Sequence, residues 1–89
     1  MNSEKQVVRP LYDIASDIQD DWMKIGRGVS IHARPYLTAM FRLGDIEEMY
    51  GADSARSVVI YFLSNAQGWR GVRAREIKFE LKHILDGRK

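Results

Sequence analysis

Between Leu11 and Ile25 apolar residues return every three or four positions. Leu11, Ile14, Ala15, Ile18, Trp22 and Ile25 fall on one stripe at the period of an α-helix. Asp13, Asp17, Asp20, Asp21 and Lys24 lie opposite, so the segment predicts an amphipathic first helix with an acidic outer face. Pro10 suits its first turn, where a missing N–H costs nothing, and Gly26 with Gly28 ends it. Pro35 opens a second helix in the same way, running through Leu43. Its apolar strip is Leu37, Met40 and Phe41, with Tyr36, Ala39 and Leu43 beside it. Gly44-Asp45 reads as a helix-ending glycine followed by an N-cap. That predicts a short helical piece near 45–50, stopped by Gly51; a single helix kinked across Gly44 is the alternative.

Asp53 or Ser54 caps the third helix. By propensity alone Val58-Val-Ile-Tyr-Phe-Leu63 favours a strand. No second strand is available to pair with it, and the flanking Ser-Ala-Arg-Ser and Ser-Asn-Ala segments suit a helix. The segment therefore predicts a helix so apolar on all sides that other helices should enclose it. A Gln67-Gly68 break leads into the last helix, where Ala74, Ile77, Leu81, Ile84 and Leu85 face the core and Gly87 ends the run. The expected fold is a compact all-α bundle of four main helices plus the short piece near 45–50. It forms one domain over residues 1–89, with a loose arm at 1–8 and a tail at 87–89. Trp22, Ile18, Leu37, Phe41, Val59, Phe62, Leu63, Ile77, Leu81 and Ile84 should make its core.

Composition narrows the picture. Eighty-nine residues with 45% hydrophobic content suit one small core, and the absence of cysteine removes disulfides and thiolate metal sites. A net charge of +2 is well short of a nucleic-acid clamp. No long apolar run follows the N-terminus, so neither a signal peptide nor a membrane span is expected, and a cytoplasmic protein is.

Charge is where chemistry enters. Arg75, Lys78 and Lys82 stand at i, i+3 and i+7 on the last helix, with Arg70, Arg73, Arg88 and Lys89 near its ends. Phe79 lies between that stripe and Val72, and an aromatic ring among cations serves protein and nucleic-acid partners alike. The opposing reading is a solvated outer face diluted by Glu76 and Glu80, with Phe79 packed under the N-terminal arm. The acidic alternative is Asp13, Asp17, Asp20 and Asp21 on the first helix. No loop geometry accompanies these aspartates, so a metal is not expected. An acidic and a basic helix do attract one another, within one molecule or between two.

Catalytic signatures are missing from the sequence. His32 and His83 fit no triad or metal-binding pattern, and Ser57 and Ser64 most simply bond back to their own backbone. The glycines around Arg27 and Trp69 lack the strand-to-helix context of a phosphate loop. A DNA-reading helix-turn-helix at Gly44 is disfavoured because the following Asp-Ile-Glu-Glu segment would repel phosphate. Neither an enzyme nor a cofactor is expected.

Several segments carry a resemblance: Leu11-Tyr-Asp-Ile-Ala15, Asp21-Trp22, Ala33-Arg-Pro-Tyr-Leu-Thr-Ala-Met40, Tyr50-Gly-Ala-Asp-Ser-Ala-Arg-Ser-Val-Val-Ile-Tyr-Phe-Leu-Ser-Asn-Ala66 and Trp69-Arg-Gly71. From about Leu11 to Leu85 the chain resembles small single-domain proteins encoded by bacteriophages and mobile genetic elements. That resemblance brings no catalytic residue and implies an accessory role, such as binding and blocking a host or defence protein. The expected function is a non-enzymatic interaction module that meets another protein or its own copy. A nucleic-acid-binding accessory protein using the basic last helix is the alternative.

Overall fold

The computed structural model describes residues 8–25 and 30–86. The expected arm apart from Val8, the tail at 87–89, and the helix-ending Gly26 and Gly28 lie outside the described residues. Four α-helices are present among those described: α1 (Leu11–Ile25), α2 (Arg34–Met40), α3 (Ala55–Asn65) and α4 (Val72–Asp86). A 3-10 turn over Ile31–Ala33 precedes α2, and a small antiparallel hairpin, β1 (Met49–Tyr50) with β2 (Asp53–Ser54), precedes α3. The all-α expectation holds.

α1 buries Leu11, Ile14, Ala15, Ile18 and Trp22 of the stripe its periodicity predicts, and the side chain of its last member, Ile25, lies outside the described residues. Two of its unpaired first-turn donors are met from far along the chain. Leu11 N–H donates to the Gly44 carbonyl and Tyr12 N–H to that of Leu43, both at 2.9 Å. This ties the start of α1 to the connection after α2.

α2 begins with Pro35 in its first turn, as predicted, but stops at Met40 instead of reaching Leu43. The chain tightens there: Arg42 N–H donates to Ala39 and Leu43 N–H to Met40, three residues back in each case. That turn buries Leu43 and leaves Phe41 exposed, so Phe41 is not the core residue its spacing suggested. The predicted helical piece near 45–50 is absent too, and no helix bends through Gly44. Local side chains take the backbone instead. Asp45 Oδ1 accepts from Glu47 N–H at 3.0 Å, and Glu48 Oε1 accepts from Gly44 N–H at 2.9 Å. Gly51 then adopts φ +62°, the left-handed conformation that a tight hairpin requires.

Ser54, not Asp53, caps α3 through a 3.0 Å bond from Ser57 N–H to its Oγ. Val58 to Leu63 is helical despite its strand propensity, because Val58, Val59 and Phe62 all reach the core on one helical face. Enclosure is only partial, however. Ile60 is 45% exposed and Tyr61 48%, so one side of this apolar helix is bare. α4 buries Ala74, Ile77 and Leu81, while Ile84 and Leu85, like Leu63, pack at the margin.

The centre of the molecule is an aromatic trio. Phe62 stacks on Trp22 at 5.9 Å, and Trp69 meets both rings edge-on at 6.0 and 6.1 Å. Trp69 is only 1% exposed although it sits in the α3–α4 connection. Its indole N–H donates to Asp21 Oδ2 at 2.8 Å, which satisfies the polar edge of a buried ring. Asp21→Ala is therefore expected to lower stability by about 1–3 kcal/mol, the cost of an unpaired buried donor, in a urea titration. Asp21→Asn keeps an acceptor and should lose less.

Candidate functional site

On α4, seven residues separate Val72 from Phe79, which puts the two on nearly the same line of the helix surface. Both point away from the core, at 68% and 70% exposure. Arg75 and Lys82 run along one side of that line, and Glu76 and His83 along the other. The Phe79 ring stacks on His83 with centroids 6.2 Å apart and planes 19° from parallel. The ridge is thus an exposed apolar strip with a flat aromatic surface, flanked by cations on the Arg75–Lys82 side and by Glu76 and His83 on the other.

The basic residues singled out by spacing do not act as one group. Arg70, Arg75 and Lys82 are exposed and form no ion pair among the described residues. Lys78 turns inward. Its Nζ donates to the Trp69 carbonyl at 2.7 Å and lies 5.7 Å from the centre of the Trp69 ring. Burial, reinforced by Lys82 and Arg70, holds its ammonium below the usual lysine value. Arg73 turns toward α1, pairing with Asp17 at 3.0 Å and with Glu76 at 3.4 Å.

The acidic alternative is also divided. Asp17 forms an ion pair with Arg73 and accepts from Arg9, whose Nη1 lies 2.7 Å away. The same Arg9 grips Glu80 with Nε and Nη2 at 3.0 and 2.8 Å, a forked contact that joins α1 to α4. Bonds to Glu80 first, and then to Asp17, stabilise the charged guanidinium still further. Attraction between the acidic and basic helices therefore operates inside one molecule at this point. Asp21 is held by Trp69, which leaves Asp13 and Asp20 as the outward-facing acids of α1. Asp17 and Asp21 are thus committed to arginine and indole partners.

The remaining polar residues have local roles. Ser64 Oγ donates to the Ile60 carbonyl, the back-bond expected of it, whereas Ser57 Oγ accepts from the Ser54 hydroxyl. His32 belongs to the 3-10 turn capped by Ser30, and His83 serves the Phe79 ridge. The His83 contact escaped the sequence reading, although the i, i+4 spacing from Phe79 carries the signal. No protein-family model, curated protein or solved structure matches the chain. Fold and surface together define a small, mostly helical domain, and no described helix is long and apolar enough to cross a membrane.

Proposed function

We propose that this domain is a non-enzymatic protein-interaction module whose contact face is the outer side of α4. One observation carries the reading. Val72 and Phe79 stand about two-thirds exposed on a single line, beside two cations, Arg75 and Lys82, that form no ion pair among the described residues. Burying that apolar strip against a partner is favourable, and arginine and aromatic side chains concentrate binding energy in interfaces. A partner groove with an apolar floor and an acidic rim has the matching chemistry. Neither a cofactor nor a metal enters this reading.

Nucleic acid is the second reading, and the geometry weakens it. With Lys78 turned inward and Arg73 paired to Asp17, the unpaired outward cations on this side among the described residues are Arg70, Arg75 and Lys82, and Glu76 and Asp86 share their surface. So few phosphate contacts make a poor clamp. The resemblance to phage and mobile-element proteins suggests what the partner is: a host or defence protein in the cytoplasm, occupied and blocked.

Affinity capture from host extract, with and without nuclease and across a salt series, tests the assignment. Capture of a protein that survives nuclease and falls only gently with salt is expected. Recovery of nucleic acid alone, lost steeply as salt rises, would hand the role to the alternative.

A further inference from the structure

The bare side of α3 has a pattern that α1, α2 and α4 lack. Ser57, Ile60, Tyr61 and Ser64 stand at i, i+3, i+4 and i+7 and so share one face. From Ser57 through Gly68 no residue is charged, whereas the outer sides of α1, α2 and α4 carry Asp20, Arg34 and Arg75 respectively. Two of its polar side chains are already bonded within the helix, and a third meets the capping Ser54. Ser64 Oγ donates to Ile60 O at 3.0 Å, Asn65 Nδ2 donates to Tyr61 O at 2.8 Å, and Ser57 Oγ accepts from Ser54. Covering this face leaves those groups partnered, which lowers the cost of burying its polar atoms. Tyr36 lies against Tyr61 at 5.6 Å and steadies the ring.

We propose that this face binds the same face of a second copy, with the two α3 helices antiparallel across a two-fold axis. A two-fold interface must be self-complementary, so that residue i meets j and j meets i. Ser57-x-x-Ile60-Tyr61-x-x-Ser64 meets that requirement as a palindrome. With the axis between Ile60 and Tyr61, each Ile60 faces the other copy's Tyr61, and each Ser57 faces a Ser64. Arg56, the nearest charge, then falls opposite Asn65 and meets no like charge. A heterologous partner of definite charge would find nothing on this face to pair with. The strip is short against a standard interface, so the dimer is reversible.

Sedimentation equilibrium tests this. The average mass should climb from monomer toward twice that value between about 10 µM and about 1 mM protein, the range expected of a small interface. Ile60→Glu with Tyr61→Glu should restore the monomer throughout while the helical spectrum is unchanged. Arg75→Glu with Lys82→Glu should leave the dimer intact, which separates this surface from the α4 ridge. Because the chain has no cysteine, cross-linking reads the register directly. A mixture of Ser57→Cys and Ser64→Cys proteins should form mixed disulfide dimers ahead of either like-with-like dimer. A parent that stays monomeric to about 1 mM would overturn the proposal. So would a dimer indifferent to the glutamates, or a predominance of like-with-like cross-links.

Discussion

Phe62→Ala is expected to remove most of the domain's stability and bring its melting down toward ambient temperature. Phe62 has no solvent exposure and touches both tryptophan rings, so its removal opens a hole where α1, α3 and the α3–α4 connection meet. Losing a buried phenylalanine costs about 3–5 kcal/mol through lost transfer energy and the residual cavity. Small domains have total stabilities near the lower end of about 5–15 kcal/mol, so most of the margin disappears. The helical circular-dichroism signal and the buried-tryptophan fluorescence should collapse in the same transition. Phe62→Leu retains most of the volume and should fold with a lowered melting point. A Phe62→Ala protein with parental melting would show that the aromatic trio is not the centre of the core.

The second large effect falls on binding, and it separates residues that spacing alone would group together. Arg75→Glu with Lys82→Glu should leave melting almost unchanged, because exposed charges contribute at most ~1 kcal/mol each. Partner capture should nevertheless be abolished, since two anions would then face an acidic rim, and like charges across a contact cost several kcal/mol. Phe79→Ala should weaken capture as well, by about 2 kcal/mol if the ring is a central anchor. Lys78→Glu behaves differently. It places a carboxylate where an ammonium now meets the Trp69 carbonyl and ring, so the loss should appear in thermal stability first. If the Arg75/Lys82 variant captures its partner as well as the parent does, the α4 ridge is a solvated face. The contact would then move to Asp13 and Asp20 on α1.

α1, α3 and α4 were legible in the sequence because their evidence is local. A stripe such as Leu11, Ile14, Ala15, Ile18 and Trp22 states both the helix and its inward face, whatever that face meets. Caps and first-turn prolines are equally local, which is why Ser54 and Pro35 mark true boundaries. The stretch from Phe41 to Asp53 was not legible. Its course depends on which donors the Asp45 and Glu48 side chains satisfy, and on α1 taking the Leu43 and Gly44 carbonyls. Helix periodicity carries none of that information.

The candidate site divides along the same line. Spacing alone placed Arg75, Phe79 and Lys82 together on one outer face, and the exposed ridge contains all three. Only the tertiary structure decided that Lys78 and Arg73 leave that face. Their long side chains reach a carbonyl and a carboxylate brought alongside by other segments, and a helical stripe contains no description of its neighbours. The burial of Trp69 and its bond to Asp21, distant in sequence, have the same origin. So does the bareness of α3. Composition says that such a helix prefers to be covered, but the number of neighbours around it is a property of the packed whole.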